Sequence, residues 1–295
     1  MKKLILFFIL FLYGCSDSTL EFEKNNYDNV QEFNIISGFE YIPRFISEIE
    51  ESGNKKTTSA FKEIVIKPIW DDCFNDGEYL PLLNNYMESE NHNIEKLLDL
   101  KNEYDNSNLD DIVKRALEES SNLLVGTSTN VCILPSDSYN NPSKAVTVGK
   151  GKIVLFYNEI LFESDEEISS TIAHEYFHSV NTESDTNFTL LDYILFEGKA
   201  EYFKKLVYPQ SEAVPIDPSK EEHYWDLVND ILYSENYTTQ QKIMFGGGDY
   251  PPLYGYGLGY RIMDEFIKKN PDIGINEWKT MKAEDILNMS DYFDN

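Results

Sequence analysis

The strongest constraint on the fold of this 295-residue chain is a pair of histidines four residues apart, with a glutamate directly after the first. His174, Glu175 and His178 lie in a segment that begins with Ser164 and Glu167, a pair typical of a helix N-terminus. On a helix, residues four apart project from one face, so both imidazoles can bind the same metal ion. Glu175 would lie beside that ion, where it can accept a proton from a water molecule.

A second predicted helix, beginning at Thr189, supplies further candidate ligands. Glu197 and Glu201 lie one turn apart on its otherwise apolar face. Two carboxylates are costly to bury unless a positive charge meets them. Zinc (Zn2+) would supply that charge, with His174, His178 and Glu197 as three ligands and a fourth position open for water. Glu201 then suits a hydrogen bond from the free ring N–H of a ligating histidine.

These residues resemble those of gluzincin metallopeptidases. Eighteen residues separate His178 from Glu197, as in the aminopeptidase branch of that clan. A closer likeness is to a family of predicted zinc-dependent proteases of unknown substrate. Its members share His-Glu-Tyr-x-His, Leu-Leu-Asp, Glu-Gly-x-Ala-[Asp/Glu]-Tyr-Phe and Gly-Tyr-x-x-Gly-Tyr, which this chain carries at residues 174–178, 190–192, 197–203 and 255–260. Lys199 stands where an apolar residue is expected.

The resemblance implies a zincin-like fold and zinc-dependent hydrolysis of peptide bonds. Zinc would polarise the scissile carbonyl and lower the pKa of a water molecule, and Glu175 would carry the proton to the leaving amine. The sequence lacks the Gly-x-Met-Glu-Asn segment with which the aminopeptidases hold a free N-terminus. An endopeptidase, which cleaves within a chain, is therefore favoured.

A tyrosine-rich segment at residues 254–261 offers donors for the oxyanion that develops opposite the metal. Tyr256 is the first candidate, followed by Tyr260 and Arg261, with His223 as a further alternative. Aromatic core packing explains any single one of these tyrosines equally well. Gly255 and Gly259, four residues apart, would let this helix come close to a neighbour.

The rest of the chain predicts an α+β fold. Residues 29–125 form a helical N-terminal region, in which Ile35 and Phe39 share one apolar helix face. Apolar runs rich in β-branched residues at 131–134, 145–148 and 153–156 predict a small sheet packed on the His174 helix. Residues 126–208 would form the zincin core and residues 209–295 a helical C-terminal subdomain. The strand at 153–156 is a candidate edge for pairing with an extended peptide.

The N-terminus predicts export. Lys2 and Lys3 precede an apolar run at residues 4–13, which is too short to span a bilayer but suits a signal-peptide core. The run resembles a bacterial lipoprotein signal, with cleavage before Cys15 and lipid attached to its thiol. Residues 1–14 would be the signal peptide and residues 15–28 a tether, so that the protein is anchored to a membrane of the bacterial cell envelope. An ordinary secretory signal is the alternative.

The chain has two other cysteines, Cys73 and Cys132. In an oxidising compartment they can pair, and a disulfide closing such a loop contributes about 4 kcal/mol in the chain-entropy model. Two unrelated buried thiols are an equal alternative.

The charge balance is strongly acidic. The chain has 25 Lys and Arg against 52 Asp and Glu, a net charge of −27. Such a surface repels phosphates, so nucleic acid is not an expected partner. The expected partners are a peptide or protein substrate and the membrane that holds the lipid; the sequence indicates no oligomeric state. Two non-enzymatic hypotheses stay open, namely a metal-stabilised binding lipoprotein and a structural envelope protein.

Overall fold

The structure confirms the α+β class. The computed structural model describes residues 31–52, 57–89, 92–137, 143–181 and 188–293. Helix accounts for 61% of the structure, and a four-stranded mixed sheet packs against the helix that carries His174 and His178.

The sheet is mixed in direction. Its strands are β1 (Phe33–Ser37), β2 (Thr129–Pro135), β3 (Ala145–Gly149) and β4 (Lys152–Tyr157). They lie in the order β1-β2-β4-β3, with β1, β2 and β4 parallel and β3 antiparallel to β4. Successive residues of β2 and β4 are apolar and fully buried, because both faces of these central strands are covered.

The helices lie before, between and after the strands. They are α1 (Ile42–Ser52), α2 (Thr57–Phe61), α3 (Trp70–Cys73), α4 (Asn84–Met87), α5 (Ile94–Asp105), α6 (Leu109–Leu123), α7 (Asp165–Val180), α8 (Leu190–Val207), α9 (Glu221–Asn229), α10 (Tyr237–Phe245), α11 (Tyr254–Lys269), α12 (Ile275–Trp278) and α13 (Ala283–Ser290). Shorter helical segments lie at Gly38–Tyr41, Lys62–Ile66, Lys67–Ile69, Leu80–Leu83 and Glu159–Leu161.

The N-terminal region is not wholly helical, and the prediction that Ile35 lies on a helix is wrong. Ile35 belongs to β1 and pairs with Val131 of β2. A strand of five residues carries too short an apolar pattern to be told from a helix turn. Pairing with β2, which is remote in sequence, decides the conformation.

The strand at residues 153–156 is not an edge, so that prediction is also wrong. It belongs to β4, which pairs with β2 on one side and with β3 on the other. The outer strand on this side of the sheet is β3. A sequence pattern identifies the β3–β4 hairpin but does not tell which of its two strands faces the neighbouring β2.

The N-terminal part is joined to the sheet by covalent and polar links. Cys73 and Cys132 form a disulfide between residues 59 apart in sequence, and closing such a loop contributes about 4 kcal/mol in the chain-entropy model. The Tyr86 hydroxyl donates to the Pro135 carbonyl at 2.9 Å, and the Tyr79 amide donates to Val148 at 2.8 Å. Together with β1, these contacts attach the N-terminal part to the sheet.

Both helices of the metal motif begin at their predicted caps. The Ser164 hydroxyl accepts from the Glu167 amide at 3.2 Å, while the Glu167 carboxylate accepts from the Glu163 amide at 2.7 Å. At α8, Thr189 and Asp192 satisfy each other's backbone amides in a complete capping box. These caps fix the first turn of each helix and thereby the faces on which the motif residues lie.

A contact between two glycines brings α11 against α8. A Cβ on Gly259 would lie 2.1 Å from the Ile194 carbonyl oxygen, and one on Gly198 would lie 2.4 Å from the Gly259 carbonyl carbon. Only residues without side chains allow such an approach. Gly255 faces Met244 of α10 instead. The close packing carries Tyr256, in the first turn of α11, toward α7.

Lys199 is buried in α8 and bonded at its charged end. Its ammonium donates to the carbonyls of Met281 at 2.8 Å and Lys279 at 3.3 Å. Carbonyl dipoles therefore offset the cost of burying this charge, and the lysine ties α8 to the segment between α12 and α13.

The predictions for residues 1–28, which include the signal peptide, the tether and lipid on Cys15, lie outside the described residues. No helix in the part of the chain that the structure describes is both long and apolar enough to cross a membrane. Gln31–Asn295 forms one compact unit, and the predicted boundaries at residues 125 and 208 stay predictions.

The glycine contact predicts a matched pair of stability effects. Gly259→Ala is expected to destabilise the fold by about 1–3 kcal/mol, because the two helix backbones must separate. Gly274→Ala is the control, since a Cβ there meets no atom within 4 Å. Urea unfolding measures both variants, and equal stability of the two would contradict the close contact.

Candidate metal centre

Three side-chain atoms from α7 and α8 converge on one point. Nε2 of His174 lies 3.1 Å from Nε2 of His178, and each lies 3.2 Å from Oε2 of Glu197. The three residues are buried, with exposures of 8%, 4% and 7% in the order His174, His178, Glu197. Both histidines come from one face of α7, and Glu197 comes from the helix packed beside it. The three residues could hold a metal ion.

The donor set fits a divalent cation. Unprotonated imidazole nitrogens and a carboxylate oxygen are all acceptors, so bringing three of them together requires a positive charge between them. In a tetrahedral zinc site with bonds of about 2.0–2.1 Å, neighbouring ligand atoms lie about 3.3 Å apart. The observed separations of 3.1 and 3.2 Å are close to this value. Three protein ligands leave one position open, as in catalytic zinc sites.

Without a cation, a proton on His174 offsets the negative charge of Glu197. Burial opposes protonation of the His174 ring, but Glu197 and Glu201 together raise the pKa of His174 to about 10. Burial also disfavours the ionised form of Glu197, yet His178 and His174 hold the pKa of its carboxyl at about 2. Glu197 is therefore a carboxylate at neutral pH, and a bound metal would take the place of the proton on His174.

Glu201 lies behind His174 on the side away from Glu197. Its Oε1 is 3.0 Å from Nδ1 of His174, and its Oε2 is 2.6 Å from Nζ of Lys204. Burial acts to raise the pKa of this carboxyl, but His174 and Lys204 outweigh it and hold the pKa below its usual range. A carboxylate at Nδ1 keeps a proton on that nitrogen, so a metal ion would displace the proton from Nε2, the nitrogen that faces Glu197. Metal binding requires this orientation.

Glu175, next to His174, is half-buried and bonded to the outer strand of the sheet. Its Oε2 accepts from the Thr147 amide at 2.6 Å and from the Thr147 hydroxyl at 2.8 Å. The Thr147 hydroxyl also lies 2.8 Å from the backbone carbonyl oxygen of Glu175. The carboxylate is thus held in one conformation between α7 and β3.

The structure places Tyr256, but not the other candidate donors, against the metal group. Its ring lies 6.3 Å from the His174 ring at an interplanar angle of 24°. Burial and the charge of Glu197 raise the pKa of Tyr256 well above its ordinary value, so its hydroxyl stays protonated and able to donate. Tyr260 packs on Tyr202 instead, with ring centroids 6.1 Å apart.

The remaining two candidates have other surroundings. Nε of Arg261 lies 2.9 Å from Oε1 of Glu221, which also accepts from the Tyr292 hydroxyl at 2.7 Å. His223 is exposed at the start of α9, where its ring contacts Tyr224. An oxyanion role for Tyr256 stays a prediction.

Three residues of the site were missed by sequence reasoning. Phe196 stacks on the His178 ring at 4.2 Å. Tyr193 lies one turn before Glu197, and burial together with the charge of Glu197 raises its pKa. The four-residue spacing to Glu197 was a usable signal for Tyr193. Thr147 had no such signal, because its contact with Glu175 depends on how β3 lies against α7.

The donor set predicts metal-dependent stability. Zinc is expected to raise the thermal unfolding midpoint, since a ligand at a hundred times its dissociation constant stabilises the folded state by about 2.7 kcal/mol. His174→Ala should abolish this rise, whereas His223→Ala, at an exposed histidine outside the group, should preserve it. Unfolding scans with zinc and with a chelator test both variants. A full rise in His174→Ala would exclude this ligand set.

The comparison with protein families agrees with this geometry. Residues 109–288 match the family described as Predicted Zn-dependent protease (DUF2268), a range that includes the whole of α7, α8 and α11. No curated protein and no solved structure is similar enough to the chain to count as a match. Because the matched range covers more than half of the chain, the chain belongs to this family of predicted zinc-dependent proteases.

Proposed function

We propose that this protein is a zinc-dependent metallopeptidase that hydrolyses peptide bonds. The observation that carries the proposal is the buried convergence of His174, His178 and Glu197, with Glu175 next to His174 on α7 and its carboxylate bonded to Thr147. A purely structural metal site has four protein ligands and needs no adjacent base. Three ligands with a neighbouring carboxylate match the requirements of hydrolysis.

Each residue has a distinct task in this mechanism. Zinc, when bound by the three ligands, would polarise the scissile carbonyl and lower the pKa of a water molecule toward about 7. Glu175 accepts the proton from that water and delivers it to the leaving amine. Tyr256 donates a hydrogen bond to the oxyanion that develops on the carbonyl oxygen of the scissile bond. Glu201 holds His174 in the orientation that binding requires.

Substrates would be unstructured peptide or protein segments, and endopeptidase cleavage is favoured. The support is the absence from the sequence of the segment with which the related aminopeptidases hold a free N-terminus. The net charge of −27 argues against nucleic acid as a partner and favours basic over acidic peptide stretches.

The protein would act in the cell envelope of a bacterium, exported and anchored through lipid on Cys15. The basic and apolar pattern of residues 1–15 supports this placement. The Cys73–Cys132 disulfide also supports it, because disulfides persist in oxidising compartments and are rare in the cytosol.

Glu175→Gln tests the proposed function directly. The substitution removes the proton acceptor but preserves size and hydrogen bonding, so zinc content should match that of the wild type. Cleavage of a peptide library should fall by roughly 10²–10⁴-fold, the usual contribution of a general base. Mass spectrometry of the products and metal analysis measure the two quantities. A wild type that binds zinc but cleaves nothing, or a variant as active as the wild type, would refute a peptidase with Glu175 as its base.

A further inference from the structure

Thr147 is the residue through which the sheet contacts the proposed base. It lies in β3, is 5% exposed, and directs both its amide and its hydroxyl at Glu175. In the described part of the chain, the hydrogen bonds to the Glu175 carboxylate reach Oε2 and leave Oε1 for another partner.

The strand register explains why the Thr147 amide points at α7. The Lys144 carbonyl accepts from the Phe156 amide at 2.9 Å, so residue 144 directs its backbone toward β4. Alternate residues of an antiparallel strand direct their backbone groups to opposite sides, and Thr147 is therefore directed away from β4. A buried amide at a sheet edge needs an acceptor. The Glu175 carboxylate is that acceptor.

We propose that Thr147 is a positioning residue for Glu175, an inference that rests on the proposed function. Two donors on Oε2 fix the three side-chain torsions of Glu175, which would otherwise be free to rotate. Oε1 then takes no part in the bonds to Thr147 and can take a proton from water. A base that is held in place before the substrate arrives needs no reorganisation during the reaction.

A purely structural tie between β3 and α7 is the competing explanation. It predicts that loss of the Thr147 hydroxyl weakens folding without a specific effect on the chemical step. A positioning role predicts a lower kcat with unchanged KM and zinc content, because the Thr147 hydroxyl bonds to Glu175 and not to a metal ligand.

The test uses three variants of the full protein. Thr147→Val removes the hydroxyl at nearly constant shape, and kcat should fall about tenfold, as expected for one hydrogen bond to a charged group. Thr147→Ser keeps the hydroxyl and should restore kcat to within about threefold, the extra freedom of serine accounting for the difference. Thr129→Val is the matched control, since Thr129 is a buried threonine of β2 whose hydroxyl donates to the Thr127 carbonyl.

A measurement without turnover tests the contact itself. Hydrogen exchange of the Thr147 amide should be at least tenfold faster in Glu175→Ala than in the wild type, because its acceptor is gone. The Phe156 amide, bonded to Lys144 in the same strand pair, should exchange at an unchanged rate and so report an intact fold.

The outcomes separate the two proposals. An active wild type with a lower kcat in Thr147→Val and recovery in Thr147→Ser supports positioning. Full activity in Thr147→Val, a change in KM alone, an equal loss in Thr129→Val, or an unchanged Thr147 exchange rate overturns it while leaving the peptidase proposal standing. A wild type without activity overturns the proposed function and this role together.

Discussion

The convergence of three acceptor atoms inside the protein is the constraint on which the rest of the structure depends. His174, His178 and Glu197 bring their ligand atoms within 3.2 Å of one another in a buried place. Such an arrangement is unfavourable unless a proton or a cation lies between the atoms. Burial opposes protonation of His174, but the neighbouring carboxylates outweigh it and raise the pKa of His174 to about 10; a divalent ion would neutralise the group more completely.

The surrounding elements hold the residues of this group and their neighbours in place. The capped starts of α7 and α8 fix which helix faces meet, and Glu201 holds the His174 ring from behind. The glycine contact between α8 and α11 brings Tyr256 to the same place. The outer strand β3 reaches Glu175 through Thr147. The two histidines and the base lie on α7, Glu197 lies on α8 and the candidate donor lies on α11, so the packing of these helices sets the distances between them.

The sequence predicted what depends on spacing along one helix and little of what depends on contacts between elements. The pairs His174–His178 and Glu197–Glu201 could be predicted because residues four apart on a helix lie on the same face. The α+β class and the strands after residue 129 followed from their β-branched runs. Strand β1 was missed because an apolar pattern of five residues is too short to distinguish a strand from a helix turn. The edge strand was predicted wrongly because tertiary packing decides which strand of the β3–β4 hairpin faces β2. The contact of Thr147 with Glu175 could not be predicted either, because it also depends on the packing between elements.

X-ray absorption at the zinc K-edge tests the central claim most directly, because it reports the atoms around the ion without reference to activity. For the zinc-loaded protein, we expect four nitrogen or oxygen neighbours at about 2.0–2.1 Å, with outer-shell scattering from two imidazoles. A sulfur neighbour at about 2.3 Å, or a shell of six oxygens without imidazole scattering, would contradict a centre built from His174, His178 and Glu197.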